Sequence, residues 1–398
     1  MRGLRKLLEN IVSRLIAVNV SYDILDILLS SFLISYIMRS FSNQIVGVAV
    51  FYICWTLTIM AGYILAANRI RHCEKMAVFR ISIILRISAC VILGTVSLNM
   101  LVAVLVGCLL GFASGYMNMP WNNVLSEKLS KEQLIKYFGY TTSVSHILKV
   151  FMPLLIGMFI DLSSYSTMVW MVVPFSVLSY IISFTIDSRA TSRRGQIMVY
   201  LHKCRKDNFT KRILTAEFIR GMSINRLEHV ITMLIVYVMH TDVALGAVKS
   251  ATSLAIILVS ACMGRFLTIR VFPRPLTICC GFMILSALLF LGLQTAAMLV
   301  VYTLVYSVAE RVFSQLLKMN MVNASNYNQL NRTHKTEYFL VREIFLNIGR
   351  MTHLLILLII GLCGVGMMGL MILALSMVLM AVPLARLSIQ NSRDIIRG

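Results

Sequence analysis

Long apolar stretches alternate with short polar segments along this chain, and the alternation predicts its secondary structure. Each stretch has about 20 residues, which is the length of helix that crosses the hydrocarbon core of a bilayer. Only helices or closed barrels satisfy their backbone in lipid, and stretches this long exclude barrel strands, so we expect helices. The twelve predicted spans are residues 15–38, 45–67, 76–97, 101–119, 139–161, 165–186, 213–239, 245–267, 276–293, 297–317, 337–361 and 367–387.

The two halves of the chain are similar to each other. The sequence LISYIM at residues 33–38 has a counterpart, LIVYVM, at residues 234–239, which is 201 residues later. A glycine follows each block at a similar distance, at Gly47 and at Gly246. Duplicated halves joined by a basic loop are typical of membrane transporters. We therefore predict an all-α membrane protein with twelve transmembrane helices in two pseudo-symmetric six-helix bundles, residues 1–186 and 213–398, joined by a basic cytoplasmic linker, residues 187–212.

The composition and the placement of charge agree with this interpretation. The chain is 59% hydrophobic and only 13% charged, whereas soluble domains contain about 25% charged residues. The net charge is +21, and most of the 37 Lys and Arg residues lie in the termini or in every second loop. This is the positive-inside pattern, so the charge indicates topology and not a nucleic-acid partner. We expect a multi-pass protein of the bacterial cytoplasmic membrane with both termini, Arg194 and Lys318 inside, and with Arg39, Asp161 and Asp242 outside.

Motifs for enzymatic chemistry are missing from the sequence. The nine cysteines show no Cys-x-x-Cys spacing and no Cys/His cluster, so we expect neither a disulfide framework nor a metal site. There is no glycine-rich phosphate loop, no Gly-x-Ser-x-Gly and no His-Glu-x-x-His. The basic N-terminus is followed by an apolar run that contains Asp23 and Asp26, which favours a retained first span over a signal peptide. We expect no enzyme and no cofactor, and we expect a monomer whose partners are a small-molecule substrate and membrane lipid.

Six plus six spans, a basic central loop, and basic loops after spans 2 and 8 resemble the major facilitator superfamily. The resemblance covers nearly the whole chain, although its motifs are degenerate. In the loop after span 2 the chain keeps Gly62, Arg69 and Arg71, but alanine stands where the family has an acid. Span 5 carries Pro153 and Gly157, which resemble part of the glycine-proline motif of drug/proton antiporters. The run REIFLNIGR at residues 342–350 is similar to a branch of uncharacterised bacterial transporters.

Ionisable groups inside the spans are the candidate functional residues. A charge at mid-bilayer costs roughly 2.5–3.5 kcal/mol on insertion scales, so each such group needs a partner or a function. Polar residues recur at helical spacing on span 1, on span 7 and on span 11. The resemblance implies that most of these stripes face the central cavity, which spans 1, 4, 7 and 10 line with walls completed by spans 2, 5, 8 and 11. The candidates are Asn19, Tyr116, Lys149, Asn347 and Arg350 for substrate, Asp23, Asp26 and Glu228 for proton coupling, and Arg86, Arg226, Glu310, Arg311 and Glu343 for gating or ion pairs.

Two of the cations occupy equivalent places in the two halves. Lys149 and Arg350 are 201 residues apart, which is the offset of the repeat. A cation from each half at mid-depth would form a two-sided clamp for one anionic group. The alternative is that both cations pair with Asp23, Asp26 or Glu228 and only hold helices together. The acids also have two interpretations, because a carboxylate in low dielectric either carries a proton or is the permanent partner of a cation. Tyr116 at the end of span 4 either contacts substrate or is an interfacial anchor.

The leading hypothesis is a secondary active transporter for a small anionic or amphipathic solute, working by alternating access with the proton as candidate coupling ion. A multidrug/proton efflux antiporter is the alternative within the same class. A non-transporting membrane sensor or scaffold is the alternative from a different class, and it would account for the degenerate loop motif.

Overall fold

The computed structural model describes residues 11–129, 131–188, 197–204, 207–266, 273–327 and 335–397. Helices account for nearly all of them, which confirms the all-α prediction. The helices are α1 (Ile11–Ile27), α2 (Leu33–Ser40), α3 (Gln44–Arg69), α4 (Lys75–Thr95), α5 (Met100–Lys128), α6 (Lys131–Leu162), α7 (Tyr165–Ser183), α8 (Ile197–Cys204), α9 (Asn208–Met222), α10 (Ile224–Met239), α11 (Asp242–Phe266), α12 (Pro273–Leu293), α13 (Ala296–Tyr327), α14 (Lys335–Leu362), α15 (Gly366–Leu379) and α16 (Ala381–Arg397).

Twelve helical segments of the described chain are long and apolar enough to cross a membrane. Three of the predicted spans are interrupted. A short π-helical segment, Leu28–Phe32, joins α1 to α2. Ser223 separates α9 from α10 with a non-helical backbone (φ −112°, ψ −101°). Met380 separates α15 from α16, where Pro383 has no N–H to offer the carbonyl of Leu379.

The predicted end of span 4 is wrong because the helix continues into polar sequence. Helix α5 passes through Pro120 and ends at Lys128, so Pro120 and Trp121 do not end span 4. A proline inside a membrane helix is tolerated when its surroundings satisfy the carbonyl four residues earlier. Trp121 is buried and stacks on Phe79 with ring centroids 4.8 Å apart, so it packs inside the protein and does not anchor an interface. Helix α13 also extends to Tyr327, but the part of it that is apolar enough to cross a membrane, Ala296–Leu317, ends where span 10 is predicted to end.

The chain divides into two units. Unit 1 comprises Met1–Arg194 and Thr241–Ser250, and unit 2 comprises Gly195–His240 and Ala251–Gly398. In unit 1, α3 packs along α5, and α1 packs against α6 and α7. In unit 2, α9 packs along α14, and α12 packs along α13. Unit 1 has its own apolar core, in which Leu15, Phe79 and Tyr137 are buried.

The basic stretch between the predicted bundles contains a helix. Residues 189–196 and 205–206 of this stretch, including Arg194, lie outside the described residues. Helix α8 places Tyr200 in a buried apolar cluster with Leu214 and Tyr338 of unit 2. This part of the stretch therefore packs on unit 2 through an aromatic side chain, although its composition is basic.

Candidate functional site

Asp23 is the centre of a polar group in unit 1. The side-chain amide of Asn19, one turn earlier on α1, donates to Asp23 Oδ2 at 3.2 Å. Ser145 of α6 donates its hydroxyl to the same oxygen. Asp23 is half-buried, and both of these donors are uncharged. Asn19 and Asp23, which are four residues apart in the predicted polar stripe of span 1, are therefore hydrogen-bonded to each other. Ser145 adds a polar contact from α6.

Asp26 has a different partner. Its Oδ1 accepts from Arg86 Nη2 of α4 at 2.7 Å. The Arg86 guanidinium also lies over the ring of Tyr22, 3.7 Å from the centroid, and the arginine is 3% exposed. Half of the Asp26 side chain is exposed, so the pair is buried on the arginine side only.

Lys149 lies on α6, one turn after Ser145, and its side chain is exposed. Among the described side chains, no carboxylate oxygen lies within 4 Å of its ammonium nitrogen. Pro153 on the same helix cannot donate to the carbonyl of Lys149, so this turn also offers a backbone acceptor.

Two tyrosines of unit 1 that the sequence places near the membrane surface are buried. Tyr116 of α5 packs with Ala66, Ile70 and Val78, and little of its surface is accessible. Tyr137, which precedes the membrane-spanning part of α6, lies in the apolar core of unit 1. Burial raises the pKa of Tyr137 to about 12, so its hydroxyl stays neutral at physiological pH.

In unit 2 the stripe on span 11 is a chain of contacts along α14. Glu343 is bonded to the guanidinium of Arg342. The amide of Asn347 donates to the Glu343 carbonyl at 2.8 Å, and its Oδ1 accepts from Arg350 Nη1 at 2.8 Å. Asn347 is 1% exposed, and Arg350 is half-buried. The buried amide therefore orients the Arg350 guanidinium from one side.

The remaining candidates of unit 2 lie on α10 and α13. Arg226 Nη1 is 2.6 Å from Nε2 of His229, one turn further along α10. Glu228 is exposed on the same helix, and its carbonyl accepts from Thr232 at 2.8 Å. Glu310 and Arg311 are half-buried on α13.

Two buried polar groups of unit 2 are not among the predicted site residues. Arg220 forms an ion pair with Glu217 at 3.2 Å, and both side chains are about nine-tenths buried. The i, i+3 spacing of these residues was the available signal. His353 on α14 is 1% exposed and follows Arg350 by three residues, so it continues the same helical face. Among the described residues, no group of three His, Cys, Asp or Glu side chains could hold a metal ion.

Comparisons with known proteins show which family and which solved structures the chain is similar to. A family model described as Major Facilitator Superfamily matches residues 15–329. No curated protein sequence is similar enough to the chain to count as a match. A POT family transporter solved with 5-aminolevulinic acid has a TM-score of 0.72 at 11% identity, with 96% of each chain covered. The nucleoside transporter NupG has a TM-score of 0.72 at 13% identity, with 96% of this chain and 100% of that chain covered. The human organic anion transporter MFSD10 has a TM-score of 0.67 at 10% identity, with coverages of 96% and 99%. At these identities the likeness shows a common fold.

Proposed function

Because the chain belongs to the major facilitator superfamily, we propose that it is a secondary active transporter of a small anionic solute that works by alternating access. The family model and the solved transporters support a multi-pass membrane transporter, while the substrate and the coupling are part of the proposal. We further propose that Lys149 and Arg350 bind the anionic group of the substrate.

The positions of Lys149 and Arg350 in their helices are the reason for proposing an anionic substrate. Lys149 lies thirteen residues before Leu162, where α6 ends, and Arg350 lies twelve residues before Leu362, where α14 ends. The repeat offset and the helix ends thus put the two cations at equivalent depths in their own helices. The 201-residue offset between Lys149 and Arg350 supports a shared role for the two cations. Charge-assisted hydrogen bonds from two cations suit a carboxylate or a phosphate.

Uptake into proteoliposomes tests the proposed function. We expect purified protein to accumulate at least one of a panel of radiolabelled mono- and dicarboxylates and organic phosphates when a pH gradient is imposed. The efflux antiporter alternative predicts instead that a lipophilic dye leaves inside-out vesicles in exchange for protons. A sensor or scaffold predicts that neither activity exceeds that of empty liposomes, and this result would contradict the proposal.

We propose that Asp23 carries the coupling proton, because its surroundings differ from those of the other two acids. Asp26 is ion-paired with Arg86, and Glu228 is exposed. Asp23 is half-buried, and it accepts hydrogen bonds from Asn19 and Ser145, which are uncharged. Protonation of Asp23 would remove the negative charge near Lys149 and leave that cation to the substrate anion.

An Asp23→Asn variant is expected to lose uptake driven by a pH gradient and to keep exchange of labelled for unlabelled substrate. The amide preserves the size of the side chain but cannot release a proton. Parallel Asp26→Asn and Glu228→Gln variants serve as controls and are expected to retain gradient-driven uptake, with protein abundance measured in each. Full gradient-driven uptake by the Asp23→Asn variant would show that Asp23 is not the coupling group.

A further inference from the structure

Arg274 of α12 and Arg386 of α16 are exposed arginines of unit 2 that lie at the same depth on two neighbouring spans. These spans, the ninth and the twelfth, are antiparallel, because successive spans cross a membrane in opposite directions. The Cys280 thiol lies 3.6 Å from the Ala381 carbonyl oxygen, and this contact sets the register of α12 against α16. Arg274 is six residues before Cys280 and Arg386 is five residues after Ala381, so at about 1.5 Å per residue the two arginines are level to within roughly 2 Å.

In the part of the chain that the structure describes, neither arginine has an acidic partner. No described carboxylate oxygen lies within 4 Å of either guanidinium. The sequence explains this, because residues 243–309 contain no aspartate or glutamate. Residues 381–398 contain one acid, Asp394, and it is bonded to Arg212 of α9. The two cations are therefore available to an anion that does not belong to the chain.

The exposed helix faces next to the two arginines, towards the middle of the membrane, are apolar. On α12 the exposed side chains after Arg274 follow at helical spacing and include Ile278, Phe282 and Leu285. On span 12 the exposed positions Ile372, Leu379 and Arg386 recur every seven residues, or about two turns. Apolar side chains that a span exposes in this way face lipid tails. Each arginine thus marks the level at which a lipid-facing apolar surface becomes basic.

An anionic phospholipid matches this surface with both of its parts. Two guanidinium groups at one level suit a phosphate group, because arginine donates paired, planar hydrogen bonds to phosphate oxygens. The exposed apolar faces suit the acyl chains, from which a free phosphate ion would gain nothing. A zwitterionic headgroup carries its own cation, so two arginines without an acid favour a headgroup of net negative charge. Both lie on the side that is predicted to be cytoplasmic, where basic residues attract anionic lipid.

We propose that Arg274 and Arg386 bind the headgroup phosphate of one anionic phospholipid, whose acyl chains lie along the exposed faces of α12 and α15. The lipid would connect span 9 to span 12 at the level where both spans leave the apolar part of the membrane. This inference goes beyond the proposed transport function, and it does not depend on which solute is carried.

Native mass spectrometry of the purified protein in detergent tests the site, because it resolves each bound lipid. The protein is titrated with phosphatidylglycerol and, separately, with phosphatidylcholine of the same acyl chains. We expect the first phosphatidylglycerol to bind about tenfold more tightly than the first phosphatidylcholine, or better, because two cations attract its net charge. Arg274→Gln and Arg386→Gln should each weaken this first binding roughly tenfold, because each removes one charge-assisted donor group. The Arg→Lys changes keep the charge but not the paired geometry, so they should weaken it less.

The matched control is Arg393→Gln. Arg393 is exposed on the same helix, seven residues after Arg386, and its replacement removes the same charge. This variant should bind the first phosphatidylglycerol as the unmodified protein does. Inorganic phosphate in large excess should not displace the lipid, and displacement would assign the two arginines to a free anion and overturn the proposal.

Three further results would overturn it. One is equal affinity of the unmodified protein for the two lipids. Another is full phosphatidylglycerol affinity in the variant that carries both Arg274→Gln and Arg386→Gln. The third is a loss in Arg393→Gln as large as in the site variants, because this would assign lipid binding to positive charge in general. Both arginines are exposed, so melting temperatures without lipid should equal that of the unmodified protein. If one glutamine variant melts lower, the other decides.

Discussion

A Gly221→Ala substitution is expected to destabilise unit 2 strongly and to lower the amount of folded protein. The added methyl carbon would lie 2.0 Å from the carbonyl oxygen of Leu346 and 3.1 Å from the amide nitrogen of Arg350. Both atoms belong to the backbone of α14, so no side-chain rotation relieves the collision, and α9 and α14 must move apart. Overpacking usually costs about 1–3 kcal/mol, and a backbone collision this short belongs at or above the upper end. Gly349 opposes the Phe218 carbonyl in the same way, at 2.1 Å, so Gly349→Ala should behave alike.

The measurement is the thermal unfolding midpoint of purified protein in detergent, together with its abundance in the membrane. Gly281→Ala and Gly292→Ala are matched controls, because a Cβ atom at either position meets nothing within 4 Å beyond the backbone of its own helix turn. These controls should be neutral or slightly stabilising, since alanine is favoured over glycine in a helix by roughly 0.5–1 kcal/mol. A Gly221→Ala midpoint equal to that of the controls would contradict the close packing of α9 on α14.

Much of the architecture was predictable because a bilayer imposes one length and one polarity on every span. The helix interruptions were less predictable, since Ser223 and Pro383 act through local backbone geometry that hydrophobicity does not encode. At Pro120 the sequence predicts a helix end that the structure does not have. Trp121 packs on Phe79, and the helix continues.

The candidate site was predictable in its residue types and only partly in its contacts. Helical spacing identified the bond between Asn19 and Asp23 and the contacts from Glu343 to Arg350, because both lie within one helix. Pairing between helices depends on packing, so the sequence offered several partners for Asp26, and the structure shows Arg86. The hydrogen bond between Ser35 and Asp242 joins residues 207 positions apart, which a single sequence cannot align.

If Lys149 and Arg350 bind the substrate as a clamp, their removal should change the transport kinetics. In Lys149→Ala and in Arg350→Ala, the apparent Km for the transported anion is expected to rise about 30-fold or more, because truncating one partner of a desolvated charge pair costs about 2–5 kcal/mol. Lys149→Arg and Arg350→Lys retain the charge and should raise Km less, although the change in donor geometry prevents full recovery at Arg350. Arg80→Ala is the matched control, since Arg80 is a half-buried arginine that lies over the ring of Phe184 at 4.1 Å. Its Km should equal that of the unmodified protein.

Protein abundance separates a substrate clamp from a structural role of the same cations. If Lys149 serves to neutralise Asp23, Lys149→Ala leaves a half-buried carboxylate without its nearby cation, and abundance should fall. Adding Asp23→Asn would then restore abundance, and the substrate Km of the double variant would be normal. If Lys149 binds the anion, abundance stays near normal in the single variant, and Asp23→Asn does not restore Km. A normal Km in both Lys149→Ala and Arg350→Ala would exclude the clamp, because a binding cation cannot be removed from either half without loss of affinity.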